Sequence, residues 1–222
     1  MRSTTHSRRL AVAHYDEVAR IGKALSSPVR LRLLDLLRQG SRNVEELAAA
    51  ADETVANSSR HLQVMRSARL VRAERDGRHV RYALADEAVS RAFGMLRGVA
   101  ETLLPEMELL RRELGALEDG ERDRLLARIE AGEVSLVDVR PSPEFEAGHL
   151  PRARSIPLEE LPRRTAELAG EREVVVYCRG PYCPMAAEAV ELLAAAGIPA
   201  RHLDLGVPDL NPSLAVVPPR TS

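Results

Sequence analysis

The chain carries the segment Val174-Val175-Val176-Tyr177-Cys178-Arg179-Gly180-Pro181-Tyr182-Cys183, followed directly by Pro184. Its first four residues are β-branched or aromatic, which predicts a short buried strand. An alanine-rich run at 186–196 predicts a helix soon after it. Further strands are predicted at 135–139 and 200–205, with helices between them. Strands that alternate with helices favour a parallel α/β sheet for this half of the chain.

Cys178 lies where the predicted strand passes into a short loop and then into a helix. Backbone N–H groups of such a loop and the helix N-terminus can stabilise negative charge on a sulfur atom. Arg179 adds a cation beside it. Since the thiolate is the nucleophilic form of cysteine, the pattern predicts an activated nucleophile at Cys178. The alternative is a buried structural cysteine, which is common for free thiols.

The charge is distributed unevenly along the 222 residues, although the net charge is only −1. Residues 1–100 carry 18 Arg or Lys and 11 Asp or Glu, whereas residues 101–222 carry 14 and 22. A basic half joined to an acidic half indicates two domains with different partners, and the basic half is suited to a polyanion. Aromatic residues make up 3% of the chain and Trp is absent, which disfavours base stacking as a mode of nucleic-acid binding.

The first half of the chain has the pattern of a helix-turn-helix followed by a hairpin. Helices are predicted at 10–22, 28–38, 44–51 and 54–68. Asn43 is a suitable N-cap for the third of these helices. The pair Asp76-Gly77 lies between two roughly alternating runs, which predicts a β-hairpin and hence a wing. A helical stretch at 86–118, interrupted by Pro105, carries recurring apolar residues that need a partner surface, and a dimer interface is the simplest one.

The second helix of a helix-turn-helix enters the major groove of DNA, so its first turns and the wing should carry the contacts. Arg and Gln can make bidentate contacts with guanine and adenine, and arginine suits phosphate oxygens. The alternative is an ordinary solvated basic face. The expected DNA-binding residues are Asn57, Ser58, Ser59, Arg60, His61, Gln63, Arg66, Arg75, Arg78 and Arg81.

Four separated motifs in this half occur in the order found in a known family. They are Ser26-Ser27-Pro28-Val29-Arg30-Leu31-Arg32-Leu33-Leu34, Val44-Glu45-Glu46-Leu47-Ala48, Asn57-Ser58-Ser59-Arg60-His61-Leu62-Gln63-Val64-Met65 and Ala68-Arg69-Leu70-Val71. Over about residues 15–100 the chain closely resembles the ArsR/SmtB winged-helix repressors. The resemblance implies a homodimer that binds an imperfect palindrome in double-stranded DNA and leaves it when an inducer arrives.

The chain departs from the metal-sensing members of that family. Their Cys-x-Cys pair is replaced by Ala48 and Ala50, and residues 86–117 contain neither His nor Cys. A metal site is therefore not expected in this half. His61 and His79 are expected to be DNA-facing or structural, and the inducer signal must come from elsewhere.

Motifs of the second half resemble the rhodanese domain in sequence and order over about residues 122–218. They are Leu136-Val137-Asp138-Val139-Arg140, Glu144-Phe145, Gly148-His149-Leu150-Pro151-Arg152-Ala153, Ser155-Ile156-Pro157-Leu158 and Val175-Val176-Tyr177-Cys178-Arg179. The six-residue loop has the length found in sulfurtransferases. The resemblance implies a persulfide on Cys178, loaded from thiosulfate or a low-molecular-weight persulfide and passed to an acceptor thiol or cyanide. The implied catalytic loop comprises Cys178, Arg179, Gly180, Pro181, Tyr182 and Cys183, whereas Asp138, Arg140 and His149 are expected to serve the framework.

Cys183 lies at the far lip of the same loop, five residues after Cys178. Its thiol could attack a Cys178 persulfide and release sulfide, leaving a disulfide. It could also resolve a sulfenic acid, or it could simply fill the rim of the loop.

These observations predict a two-domain protein. We expect a disordered tail at 1–9, a mainly α winged-helix domain for DNA binding and dimerisation at 10–118, a rhodanese-like α/β domain at 121–218 and a loose tail at 219–222. No signal peptide or membrane span is expected, so the predicted location is cytoplasmic. No cofactor or metal is expected.

Three functions remain open at this point. The chain could be a regulator, most simply a repressor, whose second domain senses or processes reactive sulfur. It could be a working sulfurtransferase that also regulates its own operon. The second domain could also be an inert module for oligomerisation.

Overall fold

The computed structural model describes residues 2–118 and 120–209, with side chains described from residue 6 onward. The chain divides into two compact units, one up to Met95 and the other from Leu96 onward. The predicted tail at 219–222 and the predicted end of the second domain at 218 lie outside the described residues. No helix in the described ranges is both long enough and apolar enough to cross a bilayer.

The first unit is mainly α-helical and carries a small antiparallel sheet in the order β1-β3-β2. Its elements are α1 (Arg2–Leu25), α2 (Pro28–Arg38), β1 (Arg42–Asn43), α3 (Val44–Ala50), α4 (Val55–Ser67), β2 (Val71–Asp76), β3 (His79–Leu84) and the beginning of α5 (Glu87–Leu103). Leu33, Leu34, Leu47, Leu62 and Met65 are fully buried and form its core.

Local signals start the helices as the sequence predicts. The Asn43 side chain accepts from the backbone N–H of Glu46, and the Glu46 carboxylate accepts from the backbone N–H of Asn43, a capping box. β2 and β3 form the predicted hairpin, with Gly77 in the turn at φ 60°. Glycine adopts this positive φ without steric cost.

The second unit is built on a four-stranded parallel sheet in the order β5-β4-β6-β7. Its elements after α5 are α6 (Pro105–Glu113), α7 (Glu121–Ala131), β4 (Ser135–Asp138), α8 (Ser142–Ala147), β5 (Arg154–Ser155), α9 (Leu161–Arg164), a 3-10 turn (Thr165–Leu168), β6 (Val174–Tyr177), α10 (Pro184–Ala195), β7 (Ala200–Leu203) and a second 3-10 turn (Val207–Asp209).

Alternation along the central strand β6 divides the core of this unit into two clusters. Val174 and Val176 pack in one cluster with α10, and Val175 and Tyr177 pack in the other with α7. Successive side chains of a strand point to opposite faces, so the sheet is covered on both faces. The same alternation, continued one residue beyond β6, places Cys178 in the cluster that contains α10.

Three features differ from the sequence predictions. The stretch expected to be a disordered tail is helical from Arg2, because no Gly or Pro interrupts it. β1 and β5 were not predicted, since each has only two residues and two residues carry no alternation. The second compact unit begins at Leu96, ahead of the predicted domain start at 121, because Arg97, Glu101 and Arg111 bind partners later in that unit.

Candidate functional site

Cys178 lies directly after β6, at the carboxyl end of the central strand of a parallel sheet. Ligand sites of open α/β sheets lie at this edge. The side chain is fully buried, and α10 begins six residues later at Pro184. Strand, loop and helix N-terminus therefore meet at Cys178 as the sequence predicts.

Backbone contacts fold the loop from Cys178 to Cys183 onto the sulfur of Cys178. Its thiol lies 3.4 Å from the carbonyl oxygen of Cys183 and 3.9 Å from that of Gly180. The N–H of Cys183 donates to the carbonyl of Gly180 at 3.1 Å, which closes the turn. A side chain at Gly206 would collide with the carbonyl of Arg179, so only glycine permits this close packing.

The two loop cysteines are both free thiols and both are buried, with the Cys178 thiol facing the Cys183 carbonyl oxygen. The hydrogen bond from Cys178 lowers the pKa of Cys183 to about 7, with further support from the backbone N–H groups of Arg179 and Met185. Burial raises the pKa of Cys178 well above its usual value, and the hydrogen bond to Cys183 acts in the same direction. Burial thus opposes a thiolate at Cys178, whereas the pKa of Cys183 is lowered within the same loop.

Arg179 is the cation that the sequence predicts beside the loop cysteines, and its charge helps to lower the pKa of Cys183. Its guanidinium binds the Glu144 carboxylate through Nε at 3.0 Å and Nη2 at 2.7 Å. Glu144 is itself buried. This two-point ion pair fastens the loop to α8.

Tyr182 is fastened at the other end of the loop by a residue that sequence reasoning missed. Its hydroxyl donates to Oε1 of Glu101 in α5 at 2.9 Å. Burial and the Glu101 carboxylate raise the pKa of Tyr182 to about 12. Glu101 lies far from the loop in the chain, and no local motif marks it as a partner of Tyr182.

The expected framework residues do hold the edge of the sheet. Arg140 and Asp138 form a buried ion pair at 2.6 Å, and Arg140 also donates to the carbonyl of Gly148 at 2.8 Å. The ring of His149 stacks on Phe145 with centroids 3.7 Å apart, and its Nδ1 lies 2.9 Å from the Phe145 carbonyl oxygen. These contacts support a structural role for all three predicted residues.

In the first unit, α4 is the predicted recognition helix. The side chain of its N-cap, Thr54, accepts from the N–H of Asn57 at 3.2 Å. Arg60, Gln63 and Arg66 are exposed, whereas Asn57, Ser59 and His61 are half-buried. Ser58 is fully buried and faces the core, so the prediction that it contacts DNA is wrong. Its helical position turns it inward with Leu62 and Met65.

Hydrogen bonds order the amino-terminal turns of α4. Asn57 donates to Glu53 at 2.7 Å and accepts from Arg60 at 2.6 Å. Nδ1 of His61 lies 3.4 Å from Arg30. Burial, together with the charges of Arg30 and Arg60, lowers the pKa of His61.

The predicted wing contacts are not equivalent. Arg75 and Arg78 are exposed near the turn of the hairpin. Arg81 is half-buried and donates to the carbonyl and, at 3.3 Å, to the hydroxyl of Ser41, which joins β3 to the loop before α3. Among the residues that the structure describes, no group of three or more His, Cys, Asp or Glu side chains is placed to hold a metal ion.

Comparison with known proteins finds a matching family model for each half of the chain. The family model of the Rhodanese-like domain matches residues 121–211, and that of a Helix-turn-helix domain matches residues 25–74. The chain is 46% identical over 194 residues to the HTH-type transcriptional regulator Rv0324 of Mycobacterium tuberculosis, a match that covers 86% of each protein. It is 46% identical over 79 residues to the HTH-type transcriptional regulator CmtR of Mycobacterium bovis, over 36% of this chain and 67% of that one.

A solution NMR structure of the homodimeric winged helix-turn-helix DNA-binding domain of Mb0332 from Mycobacterium bovis is also similar. It is 42% identical, with a TM-score of 0.41, and the match covers 43% of this chain and 88% of that one.

Proposed function

Because the chain belongs to the family of HTH-type transcriptional regulators that join an ArsR/SmtB-type winged helix-turn-helix to a rhodanese-like domain, we propose that it is a homodimeric DNA-binding repressor whose rhodanese-like domain senses reactive sulfur at Cys178. The observation that carries the proposal is the pair of buried free thiols inside one loop, with the Cys178 thiol 3.4 Å from the Cys183 carbonyl oxygen.

The DNA-binding part of the proposal rests on exposed arginines and one exposed glutamine of the first unit. Arg60, Gln63 and Arg66 lie along α4, and Arg75 and Arg78 lie at the hairpin turn. A recognition helix reads base edges in the major groove, and wing arginines bind phosphates. Exposed arginines at both places suit a DNA duplex, because the helix can contact base edges and the hairpin can contact backbone phosphates.

The first chemical step loads sulfur onto Cys178. The Cys178 thiol gives its proton to the Cys183 thiolate as its sulfur attacks the outer sulfur of thiosulfate. The bond between Cys178 and that sulfur forms, and the bond to the sulfite group breaks, so sulfite leaves with the electron pair. The products are a Cys178 persulfide anion, a Cys183 thiol and sulfite. Both cysteines lie in one short loop, and the Cys178 thiol is 3.4 Å from the Cys183 carbonyl oxygen.

The second step converts the stored sulfur into a change of the loop. Cys183 returns its proton to the outer sulfur and attacks the sulfur of Cys178, which forms a disulfide and expels hydrosulfide. The two cysteines are oxidised and the transferred sulfur is reduced, so no other oxidant is needed. This route favours a switch, whereas transfer of the outer sulfur to an external thiol would complete a sulfurtransferase cycle.

The test combines DNA binding with intact mass spectrometry on the full chain. An operator is first selected from random duplexes, and its affinity is then measured with and without thiosulfate or a low-molecular-weight persulfide. We expect the donor to weaken operator binding by the wild type, with loss of two hydrogens from its mass. Cys183→Ser should gain one sulfur atom and stop there, and Cys178→Ser should gain none.

Two outcomes would overturn the proposal. One is sulfur loading at Cys178 with operator affinity unchanged, which would leave a sulfurtransferase without a sensing role. The other is a Cys178 thiol that no sulfur donor modifies, which would make the second domain an inert module.

A further inference from the structure

The carboxyl-terminal turns of α5 hold the loop that carries the two cysteines. The Tyr182 hydroxyl donates to the Glu101 carboxylate at 2.9 Å, and both side chains are half-buried. Tyr182 is the neighbour of Cys183 in the chain. A hydrogen bond to a carboxylate is stronger than one between neutral groups. This contact therefore fixes the end of the loop at which the second thiol lies.

Arg97, one helical turn before Glu101, secures the other side of the same loop. It binds Asp209 at 2.8 Å, and Asp209 is almost completely buried. The Asp209 carboxylate packs on Gly180, since a Cβ there would lie 3.0 Å from Oδ2. Arg97 also lies 3.5 Å from Glu101. One helix thus reaches the loop directly at Tyr182 and, through Asp209, at Gly180.

Cys178 is fully buried beneath this loop, so a sulfur donor cannot reach it unless the loop moves. Movement of the rim that carries Tyr182 and Cys183 breaks the hydrogen bond to Glu101. The freed carboxylate has Arg97 beside it as an alternative partner. Opening of the loop thus changes the interactions made by α5 itself.

The beginning of α5 has a different role. Val89 and Phe93 pack against the buried core of the first unit, and Ser90 accepts from Arg38 at 3.0 Å. Helix α5 runs without a break from these residues to Glu101, about two turns beyond Phe93. A change at Glu101 therefore acts on a helix whose first turns belong to the core under the recognition helix.

We propose that Glu101 is a positioning residue that holds the cysteine loop closed through Tyr182 and passes the state of the loop to α5. The proposal rests on the proposed function, because it names the route by which sulfur at Cys178 reaches the DNA-binding unit. It adds a residue outside the loop. Substitution of this residue should leave the reaction of the thiols intact but remove the effect of that reaction on DNA binding.

The first test measures access to the buried thiol. Peptide mass spectrometry measures the rate at which iodoacetamide alkylates Cys178 in Glu101→Ala, Tyr182→Phe and the double variant. Each single change should speed alkylation by roughly three- to tenfold, the size expected for one hydrogen bond to a charged group. The double variant should be no faster than either single variant. Glu101→Gln keeps an acceptor and should restore slow alkylation in part.

Thr102→Ala is the matched control, since Thr102 is the next residue of α5 and is exposed. It should alkylate at the wild-type rate. Additive effects of Glu101→Ala and Tyr182→Phe would overturn the positioning role, because they would mean that the two side chains act separately.

The second test separates this inference from the proposed function. Glu101→Ala is treated with thiosulfate, and its operator affinity and mass are compared with those of the wild type. We expect the same loss of two hydrogens but at most a small fraction of the wild-type change in operator affinity. If the variant responds as fully as the wild type, the route through Glu101 is wrong and the sensing function stands. If the wild type itself does not respond, the proposed function fails first.

Discussion

Cys178 makes the largest contribution to the lowered pKa of Cys183. Cys178→Ala removes that contribution, so the pKa of Cys183 should rise from about 7 towards or above the usual thiol value. Less thiolate is then present at neutral pH, and alkylation of Cys183 at pH 7 should slow by roughly tenfold. The pH profile of alkylation, read by peptide mass spectrometry, should shift upward. Cys178→Ser keeps an O–H donor and should shift it less, so equal profiles for the two variants would contradict this account.

The Arg140–Asp138 pair is fully buried at the edge of the sheet beside the loop. Arg140→Met keeps much of the side-chain volume but leaves the Asp138 charge without its partner. A broken buried ion pair costs about 3–5 kcal/mol. Hydrogen exchange of the β6 amides measures the free energy of opening of the second unit separately, and that free energy should fall by this amount. Arg163→Met, at an exposed position, is the control and should change little; a comparable loss there would point to a general effect of removing charge.

At the scale of elements, the faces of α4 separate DNA contacts from core packing. Gln63→Ala removes an exposed side chain and should weaken operator binding by about 1–3 kcal/mol, with relaxed preference at one base pair. Arg66→Ala should weaken binding to all sequences similarly and reduce the salt dependence. Ser58→Ala changes a buried residue and should leave the affinity unchanged. Fluorescence anisotropy over a series of salt concentrations measures all three, and a loss of affinity in Ser58→Ala would contradict the orientation of the helix.

Elements with their own sequence signal were predictable, and elements formed by pairing were not. Asn43 starts α3 and Asp76-Gly77 precedes a hairpin, because caps and turns are determined by neighbours in the chain. β5 exists only because Val137 and Asp138 of β4 pair with it. The loop chemistry follows the same rule. The position of Cys178 was predictable from local sequence, whereas its raised pKa depends on burial, and the partners Glu144 and Glu101 come from distant segments.

At the scale of the whole molecule, exposed apolar side chains follow α1 and α5. They include Leu10, Val12, Tyr15 and Val18 in α1, and Met95, Leu96, Val99 and Leu103 in α5. Exposed apolar residues along a helix are typical of an interface, and those of α5 suit the proposed dimer. Val99→Glu places a charge on this face of α5 and should convert the proposed dimer to a monomer in analytical ultracentrifugation, with a large loss of operator affinity. Glu106→Gln, outside this surface, should stay dimeric; a dimeric Val99→Glu would place the interface elsewhere.

The burial of Cys178 has a consequence for time as well as for reactivity. The proposed disulfide would be shielded from the reductants of the bulk solution by the same loop that covers the thiol. Its lifetime would then be set by how often the loop opens rather than by the concentration of those reductants. Under the proposed function, such a site would keep a record of a brief sulfur pulse after the donor is gone, and the mechanics of one loop would determine the duration of the transcriptional response.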